Sequence, residues 1–186
     1  MPRLAGSLPM IAGLVCIGLA IATGALDPPK PRVNEIHVCP VITPYFSPNG
    51  GCQKAVIAAI DNACESIYVM AYSFTSRPIE QALAAAKARG LTVVVVADDS
   101  NQNPDTSVVD ELDNDDVTVW LDGKHAIMHS KVMVIDGRFV LCGSYNWTNA
   151  AEKSNGETLL VIEDVELAKA IRSNFETHRQ HSRRLR

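Results

Sequence analysis

The stretch Leu91-Thr92-Val93-Val94-Val95-Val96-Ala97 is a continuous run rich in β-branched residues. A run of this kind, without alternation of polar and apolar positions, is typical of a strand that is covered on both faces. Gly90 comes directly before it and ends an alanine-rich segment, residues 78–89, which predicts a helix beginning at Pro78. The stretch therefore predicts a central strand with helices packed against its sheet.

The segments on either side of this strand alternate between strand and helix patterns. The predicted strands are residues 41–46, 67–72 and 117–121, and the other predicted helices are residues 52–66 and 106–112. A β-α-β-α-β order predicts a largely parallel sheet with helices packed outside it.

The second half of the chain has a different pattern. Residues 131–135 and 138–142 flank an Asp136-Gly137 pair, which is typical of a hairpin turn. A last strand is predicted at residues 158–162 and a closing helix at residues 165–181. The predicted fold class is therefore α/β, with a mixed, largely parallel β-sheet flanked by helices on both faces.

The strand at residues 131–135 begins inside the motif His129-x-Lys131-x4-Asp136. Side chains two positions apart on a strand share a face, so His129 and Lys131 can act together on one anionic group such as a phosphate. A hydroxyl, an amide and a carboxylate follow at Ser144, Asn146 and Glu157. Placing a histidine and a lysine together at the mouth of a buried strand brings no evident stability, which favours a functional role.

This combination resembles the phospholipase D superfamily, whose signature is H-x-K-x4-D followed by G-S-x-N. The likeness runs from about Val41 to the end and is closest to the small bacterial endonucleases of that superfamily, which carry one signature per chain. The resemblance implies a phospholipase D-like sandwich over residues 41–186 with one motif per chain.

The resemblance also implies a role for each residue of the motifs. The expected catalytic set is His129, Lys131, Asp136, Asn146 and Glu157. His129 would form a covalent phosphohistidine, Lys131, Ser144 and Asn146 would bind the phosphate, and Glu157 would orient an imidazole. Asp136 is expected to hold the hairpin turn and brace the site rather than perform the chemistry.

No cofactor and no catalytic metal are expected. The chain lacks a C-x2-C pair, and the pair of histidines at positions 125 and 129 lacks the glutamate of H-E-x-x-H. Asp98 and Asp99 end a strand where Mg²⁺ ligands often gather, but aspartates there also cap and turn the chain. A second catalytic imidazole is needed for the leaving group, and one-signature relatives obtain it by pairing two chains, so a homodimer is expected.

The N-terminal residues have the layout of an export signal. Arg3 precedes an uncharged stretch, residues 4–26, that ends in small residues, so residues 1–25 are predicted to be a signal peptide and residues 26–40 a linker. The alternative is an uncleaved membrane anchor. A periplasmic or secreted location follows, with membrane contact only if the segment is retained. In an exported chain a Cys39–Cys52 bridge is the first choice, while Cys64 and Cys142 fit buried thiols.

The predicted function is that of a metal-independent, non-specific endonuclease that hydrolyses DNA, and RNA as an option. The formal net charge of -4 argues against a broad basic surface, so any phosphate-binding patch must be local. The alternative within the superfamily is a lipid phosphodiesterase of the phospholipase D type. A nucleic-acid-binding module without catalysis is a third reading, which the complete set of motif residues disfavours.

Overall fold

A computed structural model describes residues 39–103 and 107–186. The predicted signal peptide or anchor, residues 1–25, lies outside the described residues, as does nearly all of the predicted linker. In the part that the structure describes, no helix has both the length and the apolar character needed to span a bilayer.

The described residues form one sheet of eight strands and five helices, with a single 3₁₀ turn at Asp99–Gln102. The strands are β1 (Val41–Ser47), β2 (Ser66–Ala71), β3 (Thr92–Asp98), β4 (Thr118–Asp122), β5 (Lys131–Ile135), β6 (Phe139–Gly143), β7 (Glu157–Glu163) and β8 (Arg183–Arg184). The helices are α1 (Cys52–Asp61), α2 (Arg77–Ala88), α3 (Val109–Asn114), α4 (Asn149–Lys153) and α5 (Val165–His181).

The strand order is β1-β7-β6-β5-β2-β3-β4-β8, which confirms the mixed sheet. Among the described strands, parallel pairing is confined to β2 with β3 and β3 with β4, where α2 and α3 provide the crossovers. The remaining neighbours are antiparallel, so the sheet is mixed but not largely parallel as predicted, because the second half of the chain is built from hairpins and long returns. β1 lies at one edge of the sheet and pairs with β7.

The central strand β3 is covered on both faces, as its sequence predicts. Val93 and Val95 pack into the main core beneath α1, α2 and α3. Val94 and Val96 point to the opposite face, where Phe175 of α5 covers them. An uninterrupted apolar strand is stable here because neither of its faces meets water.

The element boundaries differ from the predicted ones where loops provide caps. The helix predicted over residues 52–66 ends at Asp61, and the residues after it form a loop that is bound by the turn after β5. That turn has positive φ at both Asp136 and Gly137, 51° and 60°, as an Asp-Gly hairpin requires. The short helix α4 and the two-residue strand β8 were not predicted from the sequence.

The predicted Cys39–Cys52 bridge is wrong for this structure, in which the four described cysteines are free. Cys52 opens α1 and is fully buried in the core, whereas Cys39 is exposed. Of the two cysteines that were predicted to be buried thiols, Cys142 is partly buried, whereas Cys64 is exposed in the loop after α1.

Candidate active site

His129 and Lys131 lie at one end of the central strands, where β2 ends and β5 begins. Lys131 pairs with Ala71 in the ladder between these strands, and Tyr72 follows directly. The imidazole of His129 packs on the ring of Tyr72, with centroids 4.4 Å apart and planes inclined by 53°. The ammonium of Lys131 lies 4.7 Å from the same ring centroid, so one aromatic side chain positions both residues.

Lys131 is a buried cation whereas His129 is exposed. The lysine is only 6% exposed, and its Nζ donates a hydrogen bond to the carbonyl oxygen of His129 at 2.8 Å. Burial lowers the pKa of Lys131, and the negative charge of Glu157 opposes that effect. The result is an ammonium fixed in place beside an accessible imidazole, which is the preorganised form of electrostatic stabilisation.

A close approach between β6 and β7 positions the polar residues of the second motif. Gly143 has a φ of +152°, and a Cβ there would lie 2.1 Å from the carbonyl oxygen of Thr158, so only glycine fits. Ser144 then donates from its hydroxyl to Glu157 at 2.6 Å and accepts from the Thr158 backbone N–H at 3.1 Å. The second oxygen of Glu157 accepts a hydrogen bond from Asn155. The hydroxyl and the carboxylate are thus held as a pair.

Asn146 is positioned by the two aromatic residues that flank it. Tyr145 and Trp147 are fully buried; the first donates to Glu152 at 3.0 Å and the second to the carbonyl of Met70 at 3.1 Å. Trp147 is therefore a core residue rather than an exposed ring in the site. The side-chain oxygen of Asn146 is buried and has no hydrogen-bond partner in the described part of the chain, a situation that costs about 1–3 kcal/mol.

The structure does not bring Asp136 to the other motif residues. It lies at the far end of β5, roughly 16 Å from Lys131 at about 3.3 Å per residue. Its carboxylate accepts backbone hydrogen bonds from Cys64, Glu65 and Ser66 at 2.8–2.9 Å. Burial opposes its ionisation, yet these N–H groups hold the pKa of Asp136 below its usual range. The described contacts of this side chain are those of a brace between loop and turn.

Glu157 makes its described hydrogen bonds with Ser144 and Asn155, and none of them goes to the imidazole of His129 in the same chain. The carboxylate of Glu157 interacts with Lys131 through its charge, which raises the pKa of the lysine. The pairing of Glu157 with an imidazole therefore stays a prediction, and what the geometry provides is a negative charge close to the cationic centre.

One residue that supports the site was assigned only a general role from the sequence. Asp98 is buried at the end of β3, and its carboxylate accepts a hydrogen bond from the Met128 N–H at 2.7 Å and two more from Ser100. It therefore fixes the backbone just before His129. The signal was present, since an aspartate that directly follows a fully buried strand is placed to cap an incoming loop.

His125 does not join His129. Its Nδ1 lies 3.0 Å from a carboxylate oxygen of Asp122 at the end of β4. It is therefore engaged in a separate group of side chains, and within one described chain His129 is the imidazole that faces the lysine. Lys131 at the start of β5 and the Ser144 and Asn146 that follow β6 lie at the same end of these paired strands. Together with the exposed imidazole of His129, this is an arrangement suited to binding and attacking a phosphate ester.

Comparison with known proteins gives a consistent group of relatives. The family described as "Cardiolipin synthase, PLD-like domain" matches residues 56–179. A protein named phospholipase D from Rickettsia conorii is 38% identical over 156 residues, covering 84% of this chain and 78% of that protein. A mitochondrial cardiolipin hydrolase from Xenopus laevis is 30% identical over 145 residues, covering 73% and 69%.

Two solved structures match the fold over their whole length. Nuc from Salmonella typhimurium, described as a phospholipase D family member, is 35% identical with a TM-score of 0.76, covering 80% of this chain and 99% of that one. NucT from Helicobacter pylori is 28% identical with a TM-score of 0.72, covering 79% and 100%. The family match contains His129, Lys131, Asn146 and Glu157.

Proposed function

Because the chain belongs to the phospholipase D superfamily and is a phosphodiester hydrolase, we propose that it is an endonuclease which cleaves DNA, and RNA where it is offered, through a covalent phosphohistidine. The observation that carries this proposal is the buried cation Lys131 beside the exposed imidazole of His129. A nucleophile must be reachable, whereas the charge that stabilises the phosphate acts best where water is excluded.

The reaction proceeds in two displacements. The imidazole of His129 attacks phosphorus, a nitrogen–phosphorus bond forms, and the bond to the leaving oxygen breaks. The leaving alkoxide takes a proton from an acid–base group on the side of the phosphate opposite the nucleophile. Water then attacks the phosphohistidine, gives up a proton to the same acid–base group, and restores the free imidazole. Lys131 and Asn146 hold the non-bridging oxygens in both steps, so the negative charge is stabilised without rearrangement.

The acid–base group in this scheme is His129 of the partner subunit. His125 is paired with Asp122, so the described chain offers no second free imidazole at this edge. A twofold axis beside the motif places two copies of His129 on opposite sides of one phosphate. We therefore propose an obligate homodimer with one composite site.

The dimer proposal has a sharp test in mixed assemblies. Wild type and His129→Asn are unfolded together, refolded at equal amounts, and assayed at constant total protein. If both imidazoles serve one site, only about one quarter of the dimers are active, whereas chains that act alone retain about one half. Light scattering on the same samples gives the oligomeric state. Activity at the one-half level, or from a monomeric sample, contradicts the composite site.

The choice of nucleic acid over lipid rests on the match to Nuc and NucT, which covers 99% and 100% of those two chains. The relatives named phospholipase D and cardiolipin hydrolase support the lipid alternative. The deciding experiment incubates the protein in excess EDTA with plasmid DNA, with single-stranded RNA and with vesicles of phosphatidylcholine or cardiolipin. The plasmid should be cleaved, and this cleavage should be lost in His129→Asn, whereas the lipid should remain intact. Lipid hydrolysis with intact plasmid would select the alternative.

The same assay tests independence from a catalytic metal. Plasmid cleavage is expected to continue in EDTA because nucleophile, cation and acid all come from side chains. Activity that is lost in EDTA and restored by Mg²⁺ would contradict the mechanism.

A further inference from the structure

A second group of chemically active side chains lies away from the motif residues, around Asp122 at the end of β4. One oxygen of this fully buried carboxylate faces three ring nitrogens: His125 Nδ1 at 3.0 Å, His178 Nδ1 at 2.7 Å and His181 Nε2 at 3.1 Å. The four potential ligand atoms all lie within 4.8 Å of one another.

We propose that Asp122, His125, His178 and His181 form a binding site for one zinc-class divalent ion. Three imidazoles and one carboxylate are zinc ligands in number and kind. In a tetrahedral site with bonds of about 2.0–2.2 Å, neighbouring ligand atoms are roughly 3.3 Å apart. The described separations bracket that value, so small side-chain rotations bring all four atoms to one ion.

The local structure supports the site independently of its composition. His178 and His181 are three residues apart in the last turn of α5, so they project from one face of the helix. The other oxygen of Asp122 accepts the Lys124 backbone N–H at 3.0 Å, which fixes the carboxylate as an outer hydrogen bond does in metal sites.

Hydrogen bonding alone satisfies this cluster poorly. A carboxylate oxygen has about two lone-pair directions, yet three ring nitrogens converge on this one. The rings also crowd each other, with centroids 5.0–5.5 Å apart, so protonating all of them would gather like charge.

The position of the site predicts a structural role. It joins the end of β4, the loop that carries His125 and the last turn of α5. The same loop reaches His129 four residues later, so the ion would fix the segment that presents the nucleophile. Four protein ligands leave no open position for substrate, which is the arrangement of structural rather than catalytic zinc. His125 is 45% exposed, whereas His178 and His181 are 16% and 18% exposed, so the ion enters beside His125.

The test uses the full chain without a histidine tag, stripped of metal and titrated with Zn²⁺ by calorimetry. One ion per chain is expected, and a hundredfold excess over the dissociation constant should raise Tm by about 5–10 °C. Co²⁺ should give the visible absorption of tetrahedral nitrogen and oxygen coordination. Mg²⁺ should not bind, since it prefers oxygen ligands.

Matched variants locate the binding. His181→Gln and, in the exposed loop, His125→Gln should each weaken Zn²⁺ binding at least about 100-fold. His129→Asn removes an imidazole outside the cluster and should bind as wild type does. Wild-type protein that takes up no Zn²⁺, or binding that persists in His125→Gln, overturns the proposal. Because the readout is binding and Tm, the result does not depend on what the enzyme hydrolyses.

Discussion

Replacing Asp136 with asparagine separates a bracing role from a catalytic one. One oxygen of the carboxylate accepts from Glu65 and Ser66, and the other accepts from Cys64. Asparagine can keep the first oxygen, but its NH₂ group would face the Cys64 N–H, where two donors cannot bond. One charge-assisted hydrogen bond is therefore lost and two become neutral. The expected loss in the free energy of unfolding is about 2–3 kcal/mol, or roughly 5–10 °C in Tm.

The same variant gives a pH signature. The pKa of Asp136 is lowered in the folded protein, so its contribution to stability is present above the unfolded pKa, about 3.9, and is lost as pH falls through the folded pKa. The stability gap between wild type and Asp136→Asn should therefore be constant near neutral pH and close in acid. Urea unfolding at a series of pH values measures it.

The control for this prediction is Asp164→Asn. Asp164 caps α5 by accepting the Leu167 N–H at 2.9 Å, and asparagine caps helices about as well, so this change should cost less than about 1 kcal/mol. Hydrolysis by Asp136→Asn, assayed well below its Tm, should stay close to wild type. A tenfold or larger loss of activity with unchanged unfolding free energy would refute the bracing role and return Asp136 to the chemistry.

Two further substitutions test the site and its support. Lys131→Met should reduce hydrolysis at least about 100-fold while leaving the unfolding free energy unchanged or higher, because burial disfavours the ammonium. The control, Lys169→Met on the exposed face of α5, should change neither hydrolysis nor the unfolding free energy. An active Lys131→Met would contradict the assignment. Trp147→Phe removes the indole hydrogen bond to the buried Met70 carbonyl and should cost about 1–2 kcal/mol in urea unfolding, whereas an unchanged midpoint would show that this bond does not hold the loop.

The fold could be predicted from the sequence where the residue pattern of a single element reflects the burial or the backbone conformation of that element. β3 has apolar residues on both faces because helices cover both, and the Asp136-Gly137 turn has the positive φ values that its residue types favour. The apolar run after Lys131 likewise predicts a strand at residues 131–135, which is where β5 lies. Local pattern and tertiary structure agree at these positions.

The parts that were missed depend on contacts distant in sequence. The pairing of Asp122 with His178 joins residues 56 positions apart, and no local sequence pattern predicts it. Cys39 and Cys52 are close in sequence, yet the packing of α1 buries one and leaves the other exposed. The helix α4 is five residues long and begins with Thr148 as its cap, a signal too short to stand out from a polar loop.

The position of β1 at the edge of the sheet has a consequence for the order of folding. Val41 is paired with Glu163, so the first strand of the domain cannot find its neighbour until nearly the whole chain has been made. Contacts this far apart in sequence form slowly, and unpaired strands associate wrongly in the meantime. Val41, Ile42 and Phe46 are largely exposed even in the finished sheet. We therefore expect the docking of β1 onto β7 to be the step at which folding and aggregation compete.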